Sequence, residues 1–164
     1  MLPSSRVVAS VSIRSTLPED IDDLLLEMRA VDRAECAAYG LGDPAQRIRD
    51  GARNSPMCWT ARDKDGHLIC VFGVGVVSLL TGTGSPWMLA TDRLVRHAKT
   101  LQRTVPAYIE LMRWMFPRLI NFVHCDNRTS IDWLRRLGFQ IHAPIRFGFG
   151  GELFHPFDMG VSDV

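Results

Sequence analysis

Apolar and polar positions divide this chain into short segments of two distinct periods. Val8–Ile13 (VASVSI) alternates and predicts a first strand, after a flexible arm over residues 1–7. From Ser15 to Gly40 the spacing becomes helical, with Ile21, Leu24, Leu25 and Met28 on one face. Thr16 and Glu19 have capping-box spacing, Pro18 suits a first turn, and Glu19, Asp20, Asp22 and Asp23 favour the positive end of a helix dipole. Gly40 is the expected stop, and Asp43-Pro44 opens a second, short helix. Two strand-like runs then flank Asp63-Lys64-Asp65-Gly66, a hairpin signal. LLTGTGSP reads as a flexible loop, Pro86–Val95 as a further strand, and residues 97–116 as mostly helix. Pro106 must sit in that helix's first turns or kink it. RLINFVHC reads as a buried strand and TSIDWLRRL as a short helix. The stretch FQIHAPIRFGFGGELFHPFDM reads as two or three strands around a Gly-rich turn.

This order, β-α-α-β-β-β-α-β-α-β-β, predicts an α/β (α+β) domain over residues 8–164. It implies a mixed sheet of about six to seven strands with helices on both faces. A helical crossover makes the strands at 86–95 and 119–125 near neighbours. At 164 residues the chain suits one domain with a proper core. A net charge of +1 gives no reason to expect nucleic acid or a membrane as partner. The longest apolar run, LICVFGVGVVSLL, is too short for a membrane helix and is broken by Gly73 and Gly75. The first fifteen residues hold no continuous apolar core of a signal peptide, so a cytoplasmic product is expected. Cys36, Cys58, Cys70 and Cys125 form no CxxC pair and are expected to be buried free thiols. No metal-type Cys/His cluster, Walker A loop, G-x-S-x-G elbow or H-E-x-x-H pair is present, and no metal is expected.

The densest signal is HCDNRTSIDWLRRLGFQI, His124 to Ile141. Asn127 can start and cap a short helix. Ile131, Leu134 and Leu137 repeat at helical spacing, and Gly138 ends the helix where a left-handed backbone is wanted. Asn127, Ser130, Leu134, Gly138 and Phe139 fit the pattern Asn-x-x-(Ala/Ser)-x-x-x-(Tyr)-x-x-x-Gly-Phe, which resembles that of the GNAT fold of acyl-CoA N-acyltransferases. MRAVDRAECAAYG, SPWMLATDRLVRHAKT, PRLINFVHCDNRTSIDWLRRLGF and FGGELFHPF together resemble GNAT-like proteins of short-tailed phages. These are similar to the internal virion protein A family of T7-type phages, and the likeness runs from about residue 10 to 158.

The resemblance implies a CoA-type cofactor site, with acetyl-CoA as the cofactor. Pantetheine would pair with exposed backbone near Leu94, Val95 and Arg96, and Asn127 would line the same cleft. The glycine turn that normally cradles the CoA pyrophosphate is missing from Arg96–Thr104 (RHAKTLQRT), which leaves Arg96, Lys99 and Arg103 to bind phosphate through side chains. The Tyr that protonates the leaving thiolate in many members is replaced by Leu134, with Trp133 beside it. An amine nucleophile needs a base. Glu35, Asp92 and His124 are the candidates, with His97 and Glu110 also available by type. Surface charge and an ordinary strand-end histidine are the competing explanations for each.

Two functions are thus expected. The first is a phage virion or assembly protein on a non-catalytic GNAT fold, made in the host cytoplasm and carried in the particle. Its partners would be other phage structural proteins or further copies of itself. The expected contact segments are 1–7, 79–86 and 144–164, the last with Phe147, Phe149, Phe154 and Phe157. The second is an active acetyl-CoA-dependent N-acetyltransferase acting on a host or virion amine.

Overall fold

The computed structural model describes residues 10–160, and residues 6–8 by their backbone. Fourteen elements follow in order: β1 (Arg6–Val8), β2 (Val11–Ser15), α1 (Pro18–Glu27), α2 (Ala30–Tyr39), α3 (Pro44–Asn54), β3 (Met57–Asp63), β4 (Leu68–Ser78), β5 (Thr83–Ala90), α4 (Leu94–Met115), β6 (Arg118–His124), α5 (Arg128–Arg136), β7 (Gln140–Ile141), β8 (Ile145–Phe147) and β9 (Glu152–Met159). The sheet order is β1-β2-β3-β4-β5-β6-β9-β7, with β8 also on β9. Among the described residues only β5 and β6 are parallel, as the helical crossover between them predicts. The mixed α/β architecture holds. Among the described residues the strands number nine, because β1 and the short strands of the tail add to the predicted set.

Along β4 and β5 the side chains alternate between two faces. Phe72, Val74 and Met88 pack into the cluster beneath α4 and α5. Val71, Trp87 and Leu89 pack into a second cluster with Ile21, Leu24 and Ile48 from α1 and α3. The first face is held chiefly by α4, which buries Leu94, Leu101, Val105, Tyr108, Ile109 and Met112. At roughly 1.5–3 kcal/mol each, these outweigh the roughly 3 kcal/mol that a mid-helix proline costs. Pro106 therefore sits in the helix interior and not in its first turns.

Several local expectations change. The arm expected over 1–7 is in part paired: Arg6–Val8 lie antiparallel to β2, while residues 1–5 fall outside the described residues. The single strand expected at Val8–Ile13 is thus the turn and half of a hairpin. The long first helix is two helices. Met28 and Arg29 are extended, Met28 bridges Thr91, and Arg29 N–H donates to Ala90 O at 2.9 Å. Backbone pairing with a free strand edge overrides the helical periodicity there. The cap of α1 is Asp20, whose carboxylate accepts from Leu17 N at 2.8 Å, and not the Thr16/Glu19 pair. The strand expected at Pro86–Val95 runs from Thr83 to Ala90, so Leu94 and Val95 open α4 instead.

Other local signals hold. Asp43 caps α3 by accepting from Ala45 N at 3.1 Å. Gly66 (φ 84°) closes the β3–β4 hairpin and Gly138 (φ 95°) ends α5. All four cysteines are free as expected, but of the four expected to be buried Cys70 alone is, and the other three are half-buried. In the tail, Phe154 and Phe157 are core residues on β9, which removes them from the expected contact surface. No helix among the described residues is long and apolar enough to cross a membrane.

Candidate functional site

The parallel pairing of β5 with β6 consists of Thr83↔Arg118 and Gly84↔Leu119, and beyond it the strands splay. The gap opens into a cleft of about 440 Å³ whose walls come from both faces of the sheet. Glu35, Cys36, Tyr39 and Arg47 line it from α2 and α3. Leu94, Val95, Asn127, Ser130, Trp133 and Leu134 line it from α4 and α5.

The free edge of β5 facing the gap is mostly taken. Asn121 of β6 donates Nδ2 to Pro86 O at 2.8 Å. Ala90 N–H donates to the buried Asp32 at 2.9 Å, and Ala90 O accepts from Arg29. Strand alternation points the Met88 amide, between these two, into the gap as well. A splayed strand with one such amide suits an extended, amide-bearing ligand.

Glu35 is the carboxylate on this wall. One oxygen, Oε2, accepts from Asn127 Nδ2 at 2.8 Å and from His124 N–H at 3.2 Å. Burial raises its pKa above the ordinary carboxylate value against the lowering effect of those two bonds. Tyr39 stands one helical turn on and donates its hydroxyl to Asn121 Oδ1 at 3.3 Å. Burial and the nearby Glu35 charge raise the Tyr39 pKa, so the phenol keeps its proton at neutral pH. Burial likewise pushes the Cys36 thiol up to about 12, which makes it a poor nucleophile. Arg47 donates Nη2 to Cys36 O at 2.7 Å.

The other expected residues lie elsewhere. Asp92 is exposed in the bend after β5, beside a small hollow it shares with Glu27, Arg93 and Arg96, and is not in the central strand. His124 has both ring nitrogens engaged: Nδ1 accepts from Asp126 N at 3.1 Å and Nε2 pairs with Glu152 at 2.6 Å. Glu110 is exposed beside Arg113, and His97 is half-buried on α4. Lys99 and Arg103 are exposed on α4, outside the cleft lining. Asn127 is on the cleft wall with its side chain committed, since Oδ1 accepts from Ser130 N at 3.3 Å while Nδ2 holds Glu35.

Arg96–Thr104, where a phosphate-binding turn was sought, is wholly helical. The N-terminal groups of α4 are largely consumed: Arg93 N bonds Thr91 Oγ1, Leu94 N bonds Thr91 O, and Arg96 N bonds Arg93 O. Tyr39, Arg47 and Asn121 were not singled out in the sequence. For Tyr39 a signal existed: Glu35 and Tyr39 are four apart and share a helix face. Asp63, Asp65 and His67 gather in the β3–β4 hairpin, where Asp63 Oδ1 accepts from Asp65 N and His67 N and so shapes the turn.

No protein-family profile and no curated protein sequence matches the chain. Solved structures do. Ard1 from Thermoplasma volcanium is 18% identical with a TM-score of 0.68, over 93% of this chain and 99% of that one. The ribosomal-protein-S5-alanine acetyltransferase of Vibrio fischeri is 15% identical with a TM-score of 0.67, over 96% of each. A RimL ribosomal-protein acetyltransferase, solved with coenzyme A, is 12% identical with a TM-score of 0.66, over 94% and 96%. With its mixed sheet splayed between one parallel pair, the chain has the GNAT fold of these acetyltransferases.

Proposed function

We propose that this chain is an acetyl-CoA-dependent N-acetyltransferase acting on a primary amine. The observation that carries the reading is Glu35, a half-buried carboxylate of raised pKa set in a cleft walled from both faces of the sheet. When bound, acetyl-CoA supplies the thioester that an amine attacks. Met88 backbone, Leu94 and Val95 would hold its extended arm, and Arg96, Lys99 and Arg103 supply positive charge for its phosphates. The residues fit the arm better than the diphosphate, because the Arg93, Leu94 and Arg96 N–H groups at the start of α4 are already bonded. Glu35 takes the proton that the substrate ammonium must lose before the free amine can attack. Its Oε2 is fixed by His124 N and Asn127 Nδ2, which leaves Oε1 for the amine. Leu134 and Trp133 offer no proton, and Tyr39 is the phenol on the cleft wall.

The test is calorimetric titration with acetyl-CoA up to about 1 mM, where binding is worth about −4 kcal/mol, followed by an amine screen. Saturable binding is expected in both the parent and Glu35→Gln, with transfer in the variant lower by about 100-fold or more. Absence of binding to folded protein overturns the proposal.

A second reading is a phage virion or assembly protein in which the cleft no longer catalyses. It is favoured by the bonded, glycine-free start of α4 and by an exposed apolar tip at Leu79 and Leu80. It expects no acetyl-CoA binding, and recovery of the chain with other structural proteins from phage particles.

A further inference from the structure

β4 outruns its neighbour. Its pairing with β3 ends at Met57↔Val74, while its pairing with β5 continues to Ser78↔Thr83. Among the described residues, Gly75–Ser78 therefore have no strand partner on the side that β3 covers below. Strand edges of this kind are usually blunted by charge, proline, a bulge or a covering element. Here the pairing with β5 shifts register between Val76 and Ser78, but the edge carries neither charge nor proline. Val76 and Val77 are about half exposed, Leu79 is mostly exposed and Leu80 wholly so. From Leu68 to Thr91 the chain contains no charged residue.

We infer that this tip pairs with the same tip of a second copy, as an antiparallel strand-to-strand contact about a twofold axis. Two features select a second copy over an unrelated partner. On a twofold axis through this segment Val76 meets Val77 of the other copy and like charges would crowd the centre; here no charge exists across twenty-four residues. The overhang also makes the fit staggered: each turn at Leu79-Leu80 comes to rest against the other copy's Met57 end, where β3 stops. An isologous contact of this form closes at two copies and leaves the cleft between β5 and β6 open, because β5 separates that cleft from the pairing edge.

The experiment is sedimentation velocity of the full chain from about 1 to 200 µM, with Val77→Lys, Leu80→Lys and Val77→Glu beside the parent. The parent is expected to move from monomer to dimer across this range and no further. Each lysine variant is expected to weaken dimerisation tenfold or more, with an unchanged circular dichroism spectrum and melting temperature. An equimolar mixture of Val77→Lys and Val77→Glu is expected to recover dimer that neither forms alone. A parent that stays monomeric at 200 µM overturns the inference. So does a dimer indifferent to all three substitutions, or growth past two copies.

Discussion

At Glu35 one carboxylate oxygen collects two N–H donors while burial works against its charge, and burial prevails. Its folded pKa stands above the unfolded value of 4.5, so the native state holds its proton more tightly. Between pH 4.5 and the raised value the native state binds more protons than the unfolded chain, and stability falls as pH rises through that interval. Glu35→Gln keeps an amide oxygen for the two donors and removes the titration. The variant is expected to melt above the parent at pH 7, with the advantage fading towards pH 4, by thermal unfolding at both pH values. A variant that melts lower at pH 7 would show that the hydrogen bonds to the charged form outweigh its burial.

Between elements, Asp20 does the joining. It sits at the start of α1, almost wholly buried. It accepts from Arg14 on β2 at 2.6 and 2.9 Å, from Arg62 on β3 at 2.6 and 3.1 Å, and from Leu17 N. Burial alone would raise its pKa; the two guanidiniums and the Leu17 N–H outweigh it and hold the carboxyl at about 2. Its unfolded value is 3.8, so its contribution is present above pH 4 and is lost as pH falls towards 2. Asp20→Asn leaves Arg14 and Arg62 without their shared anion and is expected to cost about 3 kcal/mol, read from urea unfolding at pH 7. The difference from the parent should shrink at pH 2–3. The break between α1 and α2 follows similar logic. Asp32 and Arg29 bind each other and the edge of β5, which turns α2 across the splay and puts Glu35 inside it.

At the scale of the whole molecule, the β8–β9 hairpin closes on the end of α2 beside the cleft. The β8–β9 hairpin lays Phe147 on Phe122, with ring centroids 3.8 Å apart, and against the edge of Tyr39 at 5.2 Å. Gly148 permits this approach. Its φ is 75°, and a Cβ there would stand 2.5 Å from Ala38 O at the end of α2. Gly148→Ala must lift the hairpin from α2 or strain the backbone. It is expected to cost about 1–3 kcal/mol in urea unfolding and to loosen the Tyr39 wall. Parent-like stability would show that the hairpin is free to shift.

How much was legible in the sequence follows the range of the forces involved. Asn127 as cap, Asp43-Pro44 as helix start, Gly66 and Gly138 as left-handed turns and the parallel β5–β6 pair were all readable, because caps, turns and crossovers are settled within a few residues or by chain connectivity. Glu35 was readable as a type of residue but not as the one placed in the cleft. That needed α2 to break from α1, and the break is made by β5, sixty residues away. Asp92 and His124 looked equal to it in sequence; the end of β5 at Ala90 left the first outside, and Glu152 on β9 engaged the second. Leu94 and Val95 reach the cleft from a helix and not from a strand, since the long apolar stripe of α4 rewards starting the helix early. The sequence by itself determined the elements and their order, through local conformational preference and periodicity. Only the tertiary structure decided where the sheet splays, which carboxylate lies in the gap and which strand edge stays bare, because each depends on partners the chain brings together from far apart.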